Sequence, residues 1–198
     1  MKKIKFGRYP QGESGEVGDI EWDVLEEYSD SYLLISSKCI DVQKYHNTRE
    51  DVEWAECDLR RWLNNEFYNT AFKLSERAKL LAVRNRNTRT AGFFLKPYVA
   101  EETTDKVFLL SVEDIGRFYH VDIHQQGEIP ELQAPITKYA AKRGADFDVI
   151  KGRGMWWLRT ADRPFGALCI GFLGVLLISG RYVNNEDCSV RPVICLKK

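Results

Sequence analysis

The stretch RPFGALCIGFLGVLLISGRYV, residues 163–183, is the least polar part of the chain. Seventeen uncharged residues separate Arg163 from Arg181, whereas 29% of all residues are charged. Such a stretch has three interpretations: a membrane span, a pair of buried core strands or an exposed binding surface. A membrane-spanning helix needs about 20 apolar residues. This stretch is shorter, and its one proline and four glycines would destabilise a helix interior. We therefore expect no membrane span.

The composition is that of an ordinary folded domain. The chain has 198 residues, of which 44% are hydrophobic, and we expect a single domain over residues 1–198. Because acidic and basic residues are equal in number, the formal net charge is zero and no nucleic-acid partner is expected. The amino terminus lacks the apolar segment of a secretory signal, which predicts a cytoplasmic location. The oligomeric state stays open.

Strand-like and helical segments follow one another without a regular order, which predicts the α+β class. The run from Asp58 to Phe72 has apolar residues at helical spacing and a suitable N-cap. Further helices are predicted at 75–83, from 111 onward behind a capping box, and at 135–144. Strands are predicted at 20–24, 32–40, 105–110, 155–159 and 189–196.

Candidate catalytic or metal-binding groups are few. His120 and His124 have the spacing of two metal ligands on a helix, but a metalloprotease also needs a glutamate beside the first histidine. We therefore expect solvated histidines and no metal site. Cys188 and Cys195 form no CxxC motif, and five cysteines without a secretory signal predict free, buried thiols. Since no nucleophile–base pair is recognisable by spacing, we expect neither catalytic residues nor a cofactor.

Two tryptophans and two arginines lie in the predicted carboxyl-terminal strands. Trp156 and Trp157 precede Arg159, and Arg191 follows in the segment SVRP. Each arginine is a candidate clamp for a substrate anion. We favour a buried guanidinium that donates hydrogen bonds to loop carbonyl groups. The four residues are therefore predicted to be structural support.

Seven segments carry a resemblance over nearly the whole chain. They are FGRYPQ (6–11), IEWDVL (20–25), YLLIS (32–36), WAECDLRRWLNNEFYNTAF (54–72), DKVFLLS (105–111), WWLRT (156–160) and SVRPVICL (189–196). Together they resemble a bacterial family of unknown function that is similar to the C-type lectin-like fold in its formylglycine-generating-enzyme variant. Ser189 stands where the last strand of that fold usually has a glycine.

Some members of that family resemble variable proteins of diversity-generating retroelements, in which adenines near the end of the gene are randomised. The resemblance implies a variable, ligand-binding region at 156–192, with Ala167, Ile170 and Gly174 as scaffold positions. Randomised AAY codons cannot yield Lys, Glu, Gln, Trp or Met. None of these five types occurs from Leu158 to Asn185.

The resemblance therefore implies a non-enzymatic binding protein with a C-type lectin-like fold and a protein or glycan ligand. Alternation along a strand leaves about half of an apolar run exposed, and exposed apolar patches mark binding surfaces. The alternatives are an oxidase of the formylglycine-generating type, which needs reactive cysteines, and a plain pair of core strands. The predicted ligand-binding residues are Arg163, Phe165, Leu168, Cys169, Gly171, Phe172, Leu173, Val175, Leu177, Ile178, Arg181 and Tyr182.

Overall fold

The structure is a computed structural model that describes residues 2–90, 98–122, 127–162 and 164–198. It is mostly β, with 40% of residues in strands and 19% in helices, and an antiparallel sheet curls into a half-barrel. The predicted α+β class with a C-type lectin-like fold is therefore wrong. The physical reason is that the helices are short, since the longest described one has eight residues. Much of the chain between the helices pairs as short strands.

The described residues contain eighteen strands and five α-helices. The strands are β1 (Lys3–Pro10), β2 (Val17–Glu27), β3 (Ser31–Ser36), β4 (Asp41–Val42), β5 (Leu80–Leu81), β6 (Val83–Asn85), β7 (Thr88–Thr90), β8 (Tyr98–Val99), β9 (Thr103–Asp105), β10 (Val107–Phe108), β11 (Ala134–Pro135), β12 (Phe147–Asp148), β13 (Arg153–Gly154), β14 (Trp156–Asp162), β15 (Gly166–Ile170), β16 (Leu176–Tyr182), β17 (Ser189–Val190) and β18 (Val193–Lys197). The helices are α1 (Asp58–Trp62), α2 (Tyr68–Ala71), α3 (Leu74–Arg77), α4 (Val112–Tyr119) and α5 (Lys138–Lys142), with a π-helical turn at Leu63–Phe67 and a 3-10 turn at Pro130–Leu132.

The first large sheet has the order β1-β2-β3-β18-β10, and β5 also pairs with β18. The predicted strands at 20–24 and 32–40 form its centre as the antiparallel pair β2 and β3. Alternation along β2 buries Ile20 and Trp22, and the indole of Trp22 donates a 2.7 Å hydrogen bond to the carbonyl oxygen of Phe6. The sequence predicted this pair correctly.

The second large sheet has the order β16-β15-β14-β17-β4 and contains the apolar stretch. Its central strand β14 pairs antiparallel with β15 and parallel with β17 and β7. All seven residues of β14 are buried. One hydrophobic cluster includes residues of both sheets, for example Leu34 and Ile194 of the first and Trp156 and Ile170 of the second.

The predicted helix at 58–72 is present, but it contains a π-helical turn between α1 and α2. Its Leu59, Leu63 and Phe67 are buried in the shared core. The predicted helix at 75–83 is largely wrong, because α3 ends at Arg77 and the next apolar residues pair instead with β18 as strand β5. The predicted capping box at Ser111 is confirmed in α4.

Candidate functional site

The apolar stretch forms the hairpin of β15 and β16, and its two ends differ in exposure. At the open end Gly166 faces Tyr182, and the main-chain N–H of Val183 donates a 2.9 Å hydrogen bond to the carbonyl oxygen of Phe165. Phe165 is 37% exposed and Tyr182 is 54% exposed. The open end of the hairpin therefore presents two aromatic rings to solvent.

A cleft of about 610 Å³ lies at this open end. The guanidinium carbon of Arg49 lies 3.6 Å from the ring centroid of Tyr182 and 5.8 Å from that of Phe165. Both distances are within the range of cation–π contacts. We call this site the arginine–aromatic cleft, and its lining residues are Arg49, Asp162, Pro164, Phe165, Gly166, Gly180, Arg181, Tyr182 and Asn185.

One main-chain hydrogen bond joins the loop that carries Arg49 to the end of the hairpin. The main-chain N–H of His46 donates a 2.8 Å bond to the carbonyl oxygen of Val183, next to Tyr182. The His46 ring lies between two carboxylates: its Nε2 is 2.6 Å from Glu50 Oε1, and its Nδ1 is 3.0 Å from Asp58 Oδ2. The Nδ1 contact is within ion-pair distance but lacks hydrogen-bond geometry. Hydrogen bonds from Thr48 and His46 lower the pKa of Glu50.

The other two charged groups of the cleft have partners within the protein. Arg181 donates a 2.9 Å hydrogen bond to Asp187 and lies 3.6 Å from Asp146. The buried carboxylate of Asp162 accepts a 2.8 Å hydrogen bond from the hydroxyl of Thr90. These two residues therefore act mainly as fixed walls of the cleft.

Phe165 has a left-handed backbone conformation, with φ at 62°. This conformation costs a residue with a side chain about 1–2 kcal/mol, and glycine is the residue that usually occupies it. Non-glycine residues in such conformations concentrate at functional sites, where the surrounding structure holds them. The backbone conformation of Phe165 is therefore a second, independent indication that the functional site lies at the open end of the hairpin.

The structure divides the predicted ligand-binding residues into separate groups. Phe165, Arg181 and Tyr182 line the cleft. Leu173 is exposed at the opposite turn of the hairpin, where its carbonyl oxygen accepts a 3.0 Å hydrogen bond from Ile129 N–H. Leu168, Cys169 and Gly171 are buried, while Phe172, Val175 and Leu177 are half-buried. Arg163 and the side chain of Ile178 lie outside the described parts of the structure.

Strand β15 contributes to the shared hydrophobic core, and all five of its residues are buried. Leu168 and Cys169 therefore contribute to the core and form no part of the arginine–aromatic cleft. The apolar stretch combines two of the three interpretations, since its middle is a buried strand and one end borders a cleft.

The four predicted support residues are all buried beside the hairpin. The indole groups of Trp156 and Trp157 donate to the carbonyl oxygens of Leu132 and Gln43. Arg159 donates to the carbonyl oxygen of Leu109 at 2.8 Å and pairs with Asp114. Arg191 donates to the carbonyl oxygen of Ser36 at 2.9 Å, and its guanidinium carbon lies 5.0 Å from the Trp156 ring. Neither arginine lines the arginine–aromatic cleft.

Sequence reasoning missed Arg49, which is the residue that distinguishes this cleft. It lies in an ordinary polar segment, TRED at residues 48–51, and no sequence motif marks it. Its position over Tyr182 depends on the hydrogen bond between His46 and Val183, which joins segments far apart in the chain. Asp162 and Asn185 lie within the implied ligand-binding region 156–192, but they were not among the predicted ligand-binding residues.

Two other clefts have more of their charges neutralised within the protein. One, of about 610 Å³, contains four arginines, and three of them have acidic partners: Arg84 with Glu102, Arg117 with Glu26 and Arg159 with Asp114. The other, of about 590 Å³, pairs Lys44 with Glu186, Arg61 with Asp58 and Arg143 with Asp41. Among the described residues, neither cleft brings an exposed aromatic ring against a guanidinium group without an acidic partner.

A family model described as a domain of unknown function, DUF6273, matches residues 29–198. The chain belongs to the DUF6273 family. No curated protein and no solved structure matches it. The DUF6273 match includes every residue that lines the arginine–aromatic cleft. Nothing in these comparisons links the chain to lectin-like proteins or to diversity-generating retroelements.

All five cysteines of this DUF6273 chain are free and buried. Burial raises the pKa of Cys39 and of Cys57 to about 12. Burial also raises the pKa of Cys188 and Cys195. Since the thiolate is the reactive form, a raised pKa lowers the reactivity of these four thiols at neutral pH.

The described parts of this DUF6273 chain contain no cluster of three or more metal-ligating side chains. His120 ends α4 in a left-handed conformation, and His124 lies outside the described residues. Within the same parts, every helix is too short or too polar to cross a membrane.

Proposed function

We propose that this protein binds a ligand without changing it chemically, and that the ligand occupies the arginine–aromatic cleft. The observation that carries the proposal is the guanidinium group of Arg49 lying over the exposed ring of Tyr182, beside Phe165. Tyrosine and arginine are among the residue types that contribute most to binding energy at interfaces. Their rings and planar groups bury a large area when a partner covers them.

Rigidity of the cleft favours binding. Tyr182 ends a strand that pairs with β15, and Arg181 beside it is held by Asp187 and Asp146. The loop of Arg49 is hydrogen-bonded to Val183. A ligand that meets already ordered side chains loses less conformational entropy on binding. A surface made of these residues is therefore suited to recognition.

An oxidase of the formylglycine-generating type is disfavoured by the state of the cysteines. All five thiols are buried, and raised pKa values keep Cys39 and Cys57 protonated at neutral pH. No cysteine lines the arginine–aromatic cleft. Chemistry at a thiol would therefore require a different conformation of the protein.

The test applies fluorescently labelled protein to an array of short random peptides and to an array of oligosaccharides. We expect specific binding on one of the arrays. The substitutions Tyr182→Ser and Phe165→Gly should weaken this binding by about tenfold or more, because each removes an aromatic anchor of the cleft. Phe165→Gly leaves the left-handed backbone at that position unstrained.

Ile150→Ser is the matched control, because Ile150 is 90% exposed and lies in a turn outside the cleft. This control should bind as the wild type does. If Ile150→Ser and Tyr182→Ser weaken binding equally, the binding is non-specific adsorption to exposed apolar residues, which contradicts the proposal. Absence of specific binding on both arrays contradicts it as well.

A further inference from the structure

The guanidinium group of Arg49 has hydrogen-bond donors to spare. Within the described residues it contacts the two aromatic rings, and no described carboxylate or carbonyl group accepts a hydrogen bond from it. Its central carbon lies 3.6 Å from the centroid of the Tyr182 ring, and this contact uses no hydrogen-bond acceptor. The N–H groups of a guanidinium lie in its plane and can donate to a ligand at its edges.

The acidic groups nearest to Arg49 in the sequence are engaged elsewhere. Glu50 accepts hydrogen bonds from His46 and Thr48 at 2.6 Å each. Asp51 pairs with the buried Arg89. Farther along the chain, Asp187 pairs with Arg181, which lines the cleft. The positive charge of Arg49 at the cleft is therefore not neutralised by these neighbours.

A guanidinium group without a hydrogen-bonded acidic partner among the described residues is a receptor for carboxylates. Arginine binds a carboxylate through two parallel N–H···O bonds, and such charge-assisted bonds are stronger than neutral ones. Pro164 and Phe165 are exposed beside it and offer apolar contact. Asn185 is the one neutral amide side chain among the described residues that line the cleft.

We infer that the ligand of the arginine–aromatic cleft is an acidic segment of a partner protein, in which a carboxylate bound by Arg49 neighbours an apolar side chain that contacts Phe165. This inference rests on the proposed binding function and adds the chemical class of the ligand. Charge complementarity is what selects the acidic segment over a neutral one.

The test uses two arrays of short synthetic peptides that are identical except that aspartate and glutamate in one are replaced by asparagine and glutamine in the other. We expect the wild type to bind the acidic array about tenfold more strongly, since hydrogen bonds to charged groups are worth about that factor. Added salt should reduce this difference. Arg49→Gln should bring the ratio of acidic to amide binding close to one.

Arg49→Lys separates charge from geometry, because lysine keeps the charge but loses the planar fork. We expect an intermediate ratio. Arg86→Gln is the control, since Arg86 is exposed and lies in the separate cleft that contains four arginines. It should leave the ratio unchanged.

The outcomes separate the two proposals. Equal binding to both arrays, abolished by Tyr182→Ser, would overturn the acidic ligand and leave the binding function standing. Binding could instead be confined to oligosaccharides that carry uronic acids and be lost in Arg49→Gln. This result would overturn the inference that the ligand is a protein segment, but it would support recognition of a carboxylate by Arg49. Binding that Tyr182→Ser leaves intact would overturn both.

Discussion

The hydroxyl group of Tyr45 donates a 2.8 Å hydrogen bond to the carbonyl oxygen of Arg159. This bond joins the segment that precedes Arg49 to the strand that ends at Asp162, so it links both sides of the arginine–aromatic cleft inside the core. Tyr45 is completely buried. Without the hydroxyl, the buried carbonyl oxygen loses this partner, which costs about 1–3 kcal/mol.

Tyr45→Phe should therefore lower the free energy of unfolding by about 1–3 kcal/mol, measured by chemical denaturation. Tyr28→Phe is the matched control, because the Tyr28 hydroxyl bonds to Glu26 at the exposed surface. Its effect should stay within about 0.5 kcal/mol. Equal effects of the two substitutions would show that the bond between Tyr45 and Arg159 stabilises nothing.

The left-handed backbone at Phe165 predicts an unusual order of stabilities. At φ of 62° glycine is unstrained, whereas alanine is not, so Phe165→Gly should be more stable than Phe165→Ala by about 1 kcal/mol. At Tyr182, which lies in a strand directly opposite Gly166, the order should reverse, and the glycine variant should be less stable by about 0.5–1 kcal/mol. Denaturation of the four variants checks both orders. The same order at both positions would contradict the strained conformation of Phe165.

Local signals in the sequence were sufficient for some elements. The capping box of Ser111 and Asp114 is contained in four residues, and both of its hydrogen bonds form. The alternation that buries Trp22 likewise lies within one strand. Such signals need no knowledge of the rest of the chain.

The fold class was wrong because many strands are too short to show a period. Strands β6 and β9 have three residues each and pair with each other across a long connection. Two or three residues cannot distinguish alternation from helical spacing. The buried carboxylate of Asp105 illustrates the same limit, since its hydrogen-bond donors come from four segments: Trp54, Arg60, Asn85 and Thr103.

The candidate site was only partly accessible from the sequence. The apolar stretch indicated the hairpin and the exposed Phe165 and Tyr182, but alternation could not show that both faces of β15 are buried, with Leu168 and Cys169 in the shared core. Arg49 reaches the cleft through tertiary contacts alone. Diversification of residues 156–192 stays a prediction. A reverse-transcriptase gene beside a near-copy of this segment that differs at adenines would support it.

The pKa of Asp58 predicts how stability changes in acid. Burial by itself raises the pKa of Asp58, but hydrogen bonds from Arg61 and Asn47 and the charge of His46 outweigh burial, so the pKa lies below its ordinary value of 3.8. A carboxylate with a lowered folded pKa stabilises the protein above the unfolded pKa, and this contribution is lost as pH falls through the folded pKa. Asp58→Asn should therefore reduce the loss of unfolding free energy between about pH 5 and pH 2.

Asp41 should change the pH dependence of stability in the opposite direction to Asp58. Burial raises its pKa above 3.8 despite hydrogen bonds from Tyr9 and Val42, so its protonation in the folded state favours folding as pH falls. Asp41→Asn should make the acid-induced loss of stability steeper. Denaturation at a series of pH values measures both slopes. Parallel slopes for wild type and both variants would contradict the assigned pKa directions.

The burial of the cysteines predicts the reactivity of their thiols. In the folded protein at about pH 8, none of the five should react with Ellman's reagent on the time scale of mixing, because the thiolate is the reactive form and burial holds the pKa of Cys39 and Cys57 at about 12. All five should react at once in denaturant. On longer incubation Cys195 should react first, since it is the most exposed of them at 7%. Cys195→Ser should remove this earliest reaction and leave the slower ones. A thiol that reacts quickly in the native protein and persists in Cys195→Ser would instead support cysteine chemistry and argue for the oxidase.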